Sequence, residues 1–302
     1  MPDYNYCNSF FNHFLVGGER LEDNEDEPPK HTIVVPNLDD LPTDEKRLYL
    51  WLPIDILLVT VEVCEFLSCC AHLKSPFKCY VDSVGASVYF GHQNEDETKI
   101  GLMRHDETFI NLDSYLSAVK KAITALRPKV AISVGYCSGL NKLKTKLGDV
   151  VIPVELTTYA NEMGLYGEEL FTGTRRLVSR RFLQPINRVA DGWKAPLKSA
   201  EVREVKVHSV GEILSGPEKV SIDKRRDQLV QLYPRAVAVE MEGKGTVDAY
   251  RKIPKVTAPG SLGYSRQKGP PLSGSHYSYY LGSSYFRVVK KNVCMVIHNH
   301  FR

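Results

Sequence analysis

At 302 residues, with 43% hydrophobic and 25% charged side chains, the chain has an ordinary globular composition and the length for one large domain or two small ones with a sizeable core. A net charge of +3 is too small to point to nucleic acid or an anionic membrane as a partner. The seven cysteines, Cys7, Cys64, Cys69, Cys70, Cys79, Cys137 and Cys294, are odd in number and form no CxxC or zinc-spaced cluster; they read as reduced thiols of a cytoplasmic protein, and no metal site is predicted.

Residues 1–50 are polar and acid-rich, with Glu19, Glu22, Asp23, Glu25, Asp26 and Glu27 ahead of Pro28-Pro29. That is the composition of a solvated, disordered segment. The first twenty residues lack an apolar signal core. The greasiest stretch, Leu48 to Val63, contains Pro53, Asp55 and Glu62. It is too short and too charged to span a bilayer and reads as a buried strand entered through a proline, central over Ile54 to Val61. Val63 to Leu73 has a helical pattern. Ser87–Phe90 and Lys99–Arg104 flank a polar Asn94-Glu95-Asp96 turn and predict a hairpin. In Asn111–Leu126, Leu112, Tyr115, Leu116, Val119 and Ile123 share one helical face, and Pro128 follows. Val130–Val134 and Val150–Thr157 are buried strands. Arg175–Val189 is helical with a kink at Pro185, Val202–Leu214 extended, Asp223–Leu232 helical and Ala236–Val239 a strand. From Lys255 the sequence is rich in Gly, Ser, Tyr and Pro and mostly aperiodic, although Phe286–Ile297 has strand character. The alternation predicts an α/β three-layer sandwich with a central mixed β-sheet. Strands at 54–61, 130–135, 150–157 and 236–240 share that sheet. The divisions are an N-terminal segment 1–50, a domain 51–254 and a divergent C-terminal segment 255–302.

Two short motifs carry chemistry. Val237-Ala238-Val239-Glu240-Met241-Glu242-Gly243 is an apolar run that ends in two carboxylates around a methionine. Open α/β sheets place ligands at such strand ends, and one carboxylate can accept both hydroxyl protons of a ribose. An ordinary strand end with solvated glutamates has the same pattern. Gly135-Tyr136-Cys137-Ser138-Gly139 formally fits a nucleophile elbow, which requires a helix immediately afterwards. The sequel, Leu140 to Gly148, is short, basic and stopped by glycine, so it reads as a loop; the alternative is a glycine-bearing loop that lets backbone approach a ligand.

Four segments in order carry a family resemblance: Asp55 to Thr60 followed by Glu65; Ser133 to Gly139 followed by Leu147-Gly148-Asp149-Val150-Val151-Ile152; Gly211 to Gly216; and Val239 to Gly243. Over residues 54–250 the chain resembles the nucleoside phosphorylase superfamily, in particular its methylthioadenosine/S-adenosylhomocysteine nucleosidases. The resemblance implies a homodimer that cleaves the N-glycosidic bond of a purine nucleoside through an oxocarbenium-like state, in nucleoside catabolism and methionine salvage, without metal or organic cofactor. Glu242 would bind the ribose hydroxyls, Met241 would pack on the sugar and Glu240 would support them. Glu65 would orient or activate water. Gly135, Cys137 and Val220 would line the base pocket, and Glu65, Gly135 and Glu242 would converge on one site.

Departures from the family pattern bear on activity. Ser133 stands where phosphorylases carry a phosphate-binding arginine, and no arginine accompanies Thr60-Val61-Glu62, which favours water as acceptor. Lys219 falls where an aromatic often meets the base. The family's acid is an aspartate some twenty residues after the signature, but no aspartate follows Asp248. Loss of a general acid costs about a hundred- to ten-thousand-fold in rate, so a poor catalyst, or a catalytically inactive nucleoside-binding or interaction module, is expected.

Overall fold

The computed structural model describes residues 34–93, 97–105, 112–140, 145, 149–163, 169–178, 180–188, 190–191, 205–209, 211–216, 220, 223–241, 243 and 292–299. Among the described residues the helices are α1 (Glu45–Trp51), α2 (Val63–Cys70), α3 (Leu112–Leu126), α4 (Arg180–Asn187) and α5 (Asp223–Leu232). The strands up to the middle of the chain are β1 (Ile56–Thr60), β2 (Lys74–Val81), β3 (Ala86–Gln93), β4 (Thr98–Arg104), β5 (Val130–Gly139), β6 (Val150–Val151) and β7 (Glu155–Thr158). Then come β8 (Ala160–Met163), β9 (Glu169–Thr172), β10 (Arg175–Leu177), β11 (Val207–His208), β12 (Glu212–Ser215), β13 (Ala236–Glu240) and β14 (Asn292–Asn299).

A mixed sheet runs β10-β7-β12-β13-β5-β1-β4-β3-β2, with β6, β11 and β14 joined to it on the far side of β5 from β1. The four strands expected to share one sheet do so. Strand β1 is apolar and buried throughout because both of its faces are covered. Ile56 and Leu58 pack with Phe66, Cys69 and Cys70 of α2 and Phe182 and Ile186 of α4. Leu57 and Val59 pack with Tyr115, Val119, Ile123 and Leu126 of α3. Helices on both faces of one sheet make the three layers.

Several local readings change. The stretch Leu48 to Val63 is divided: α1 begins after Asp44, whose carboxylate accepts from the Arg47 amide, and ends at Trp51, while the expected strand follows Pro53 as β1 and starts at Ile56. Arg47 lies over the Trp51 and Phe77 rings, 5.1 and 4.6 Å from their centroids, which ties α1 to β2. Residues 175–189 are not one helix. Arg175–Leu177 pairs antiparallel with β7, held by ion pairs from Arg175 and Arg235 to the buried Glu155. The hairpin is present as β3–β4. Strand β14, at the expected C-terminal strand, pairs along β5 from Asn292↔Cys137 to Asn299↔Val130 and with β6 on its other side.

His72, just after α2, has its imidazole pKa lowered from the ordinary 6.5 to about 4 by burial. The unfolded chain therefore binds the additional proton between those values, and stability rises with pH there. The contribution is complete above about pH 6.5 and lost as pH falls toward about 4, roughly 3 kcal/mol in all. Denaturant titrations from pH 4 to 7 should show a shallower pH slope for His72→Gln than for the wild type. Equal slopes would assign the dependence to other groups.

Candidate functional site

Chain reversal at the end of β1 builds the first part of the site. Glu65, the third residue of α2, turns its carboxylate back onto the start of its own helix: Oε2 accepts from the amides of Val61 (3.0 Å) and Glu62 (2.9 Å), satisfying donors that a helix N-terminus leaves open. Its Oε1 accepts from the Tyr136 amide of β5 at 3.0 Å. A Cβ placed on Gly135 would stand 3.5 Å from that same oxygen. Glu65 is only 5% exposed. Neighbouring parallel strands β1 and β5 thus set two predicted residues, Glu65 and Gly135, side by side.

Strand β13 supplies the second part. It meets the end of β5 antiparallel at Val239↔Ser138 and β12 in parallel at Glu240↔Ser215. Glu240 is buried, and its Oε2 accepts from the Gly243 amide at 2.6 Å, so it fastens the turn that carries the signature. A Cβ on Gly243 would lie 2.6 Å from Leu156 Cδ1 and 2.7 Å from Glu240 Oε1, so a side chain there would have to displace the carboxylate that fastens the turn. Met241 is 38% exposed at the strand end, as a residue that packs on a ligand needs to be. Glu242, Lys219 and Asp248 lie outside the described residues, so of the three residues expected to converge only Glu65 and Gly135 are described, and they lie side by side. Val220 is buried beside Tyr159, Leu214 and Val239.

The segment 135–139 is not a loop. It continues β5, paired with β14 and then β13, and Cys137 sits within the strand opposite Asn292 rather than on a strand-to-helix turn. The elbow geometry is therefore absent at Cys137, whose side chain is buried with Val151, Leu156, Ile213, Val237 and Ala238.

Four features escaped the sequence reading. The Tyr136 hydroxyl and the Cys64 thiol form a short hydrogen bond, so Tyr136 is pinned at both ends by successive residues of α2. Burial, with the nearby Cys64 and Glu65, pushes its phenol well above the ordinary range. Asp149, 1% exposed, accepts from the Lys206 amide at 3.0 Å and pairs with His208 Nε2 at 2.8 Å. The Tyr159 ring lies across Gly216, where a Cβ would come within 2.3 Å of it. An arginine does reach the β1 strand end: Arg104 of β4 stands in register with Thr60. Each depends on pairing between distant strands, for which the sequence carries no local signal.

No family model matches the chain. It is 26% identical over 183 residues to a death domain-containing ATP nucleosidase of Amphimedon queenslandica, a match covering 53% of this chain and 33% of that protein. The chain thus matches about a third of the length of that curated relative. Among solved structures, a futalosine hydrolase mutant of Helicobacter pylori strain 26695 superimposes with a TM-score of 0.52 at 15% identity, covering 82% of this chain and 90% of that one. A 5′-methylthioadenosine/S-adenosylhomocysteine nucleosidase of Colwellia psychrerythraea 34H, in complex with adenine, does so with a TM-score of 0.52 at 14% identity, covering 65% and 76%. The Streptococcus pneumoniae MTA/SAH nucleosidase in complex with 8-aminoadenine gives 0.50 at 18%, covering 66% and 80%. The chain has the nucleoside phosphorylase-like α/β fold of these nucleosidases, with its central mixed sheet and the strand ends at which Glu65, Gly135 and Met241 are found.

Proposed function

We propose that the chain binds a purine ribonucleoside and hydrolyses its N-glycosidic bond. The observation that carries this reading is the Glu65 carboxylate held by the Tyr136 amide beside Gly135 at adjacent strand ends, where α/β sheets hold ligands. The nucleosidase named for the Amphimedon queenslandica relative and the adenine-type ligands of the structural neighbours agree with it. Glu242 takes the ribose hydroxyls, Met241 covers the sugar, and Glu240 fixes the turn that presents both. Glu65, already oriented by three backbone amides, holds the attacking water. With Ser133 in place of a phosphate-binding arginine, water is the acceptor. Methylthioadenosine or S-adenosylhomocysteine as substrate, a role in methionine salvage, a homodimer and a cytoplasmic setting come with the family resemblance.

A second reading is favoured by one observation: no aspartate or glutamate follows Asp248 in the sequence. Without proton delivery to the leaving base, ground-state binding survives while turnover falls, and the chain is a nucleoside-binding module. Incubation with methylthioadenosine and with adenosine, followed by assay for free adenine, separates the two. Adenine release at about one per second or faster establishes the hydrolase; binding without release establishes the module. In either case Glu242→Ala should weaken nucleoside binding by at least about a hundredfold, from about 1.5–3 kcal/mol for each hydrogen bond to a charged acceptor. Unchanged affinity by calorimetry would remove Glu242 from the site.

A further inference from the structure

Arg104 closes β4 and faces Thr60 of β1 across the parallel ladder. Alternation along β4 puts it on the side of Leu102 and Ile100, the side that α2 covers with Phe66, Cys69 and Cys70. Glu65 rises from the first turn of the same helix. Guanidinium and carboxylate therefore stand on one side of one sheet edge. Arg104 is half-buried, and among the described residues no carboxylate lies within ion-pair distance of it. A guanidinium held partly out of water at a strand end gains from pairing with an anion. The planar fork of arginine matches phosphate oxygens two at a time.

Strand order tells which anion. Neighbours along the sheet run β12-β13-β5-β1-β4. Val220 and Val239, in the cluster with Tyr159, mark the β12–β13 end. Gly135 and Glu65 mark the middle. Arg104 stands two strands beyond β5, about 10 Å at the usual spacing. A nucleoside laid along this edge, base over β12–β13 and ribose over β5, directs its 5′ oxygen toward β1 and β4. We infer that Arg104 binds a 5′-phosphate and that the ligands of the site are purine nucleoside 5′-phosphates rather than uncharged nucleosides. This rests on the nucleoside-site reading and specifies the 5′ group for it.

Calorimetry of the full chain with adenosine, AMP and ATP tests it. AMP and ATP should bind at least about tenfold more tightly than adenosine, the scale of a charge-assisted hydrogen bond. Arg104→Gln should erase that margin and leave adenosine affinity within twofold of the wild type. If Arg104→Gln folds poorly, Arg104→Lys carries the same test, and loss of the bidentate fork should cut the margin several-fold. Equal wild-type affinity for adenosine and AMP, or an undiminished margin in the variants, overturns the assignment and leaves the nucleoside site standing. Failure of all three compounds to bind overturns both. Inorganic phosphate that binds together with adenosine in an Arg104-dependent way would make the arginine an acceptor site and overturn the 5′-phosphate assignment.

Discussion

Replacing Glu65 by glutamine should lower purine release by at least about a hundredfold and reduce stability by about 1–3 kcal/mol. Both effects follow from one geometry. The carboxylate accepts from the Val61, Glu62 and Tyr136 amides with its two oxygens. A glutamine keeps a single acceptor oxygen, and its amide nitrogen must then face a backbone N–H donor. On the hydrolase reading the attacking water would lose its orientation, while ribose contacts of the signature would be untouched. Turnover should therefore fall with nucleoside affinity within about threefold. Single-turnover adenine release and calorimetry on the same preparation measure the two parts, and a denaturant melt measures the third. A variant that loses stability but releases adenine at the wild-type rate would reduce Glu65 to a helix-capping residue.

Gly216→Ala should destabilise the fold by about 3 kcal/mol, the upper part of the usual overpacking range, lowering the melting temperature by roughly 6–12 °C. The added methyl would meet three atoms of the Tyr159 ring, at 2.3, 2.3 and 2.8 Å. That ring is buried in one close-packed cluster with Leu140, Leu214, Val220, Leu229, Ala236 and Val239, so moving it disturbs the packing. Tyr159→Leu removes the obstructing ring edge, so Gly216→Ala should cost much less in that background. A double-mutant cycle by thermal melt reads the coupling. Additive losses in the double mutant would show that the clash is relieved some other way.

Legibility in the sequence followed the range of the forces involved. Helices α3 and α5, strand β13 and the β3–β4 hairpin announce themselves through local periodicity and turn chemistry. Helix α1 was hidden because its charged residues, Glu45, Lys46 and Arg47, blend into an acidic segment; its anchors are the Trp51 and Phe77 rings, the second brought in by β2. Strand β2 was missed because Pro76 and two lysines interrupt it, which an edge strand tolerates where a central one does not. At the site, the placement of Glu65 beside Gly135 was legible because each residue follows an obvious strand. Arg104 was not, since reading it requires knowing that β4 lies beside β1. The glycines of 135–139 read as a loop until their partners β13 and β14 were in place.

Placement of β14 has a consequence for how the molecule is made and handled. Asn292–Asn299 fills the space between β5 and β6, so the middle of the sheet is completed by a strand that starts well beyond β13 (Ala236–Glu240) in the chain. Until they emerge, the nascent chain carries two bare strand edges, each a template for pairing with another chain. Chaperone demand should therefore last until β14 has emerged. A recombinant fragment ending near residue 254 should express as aggregate, although that boundary keeps every motif intact.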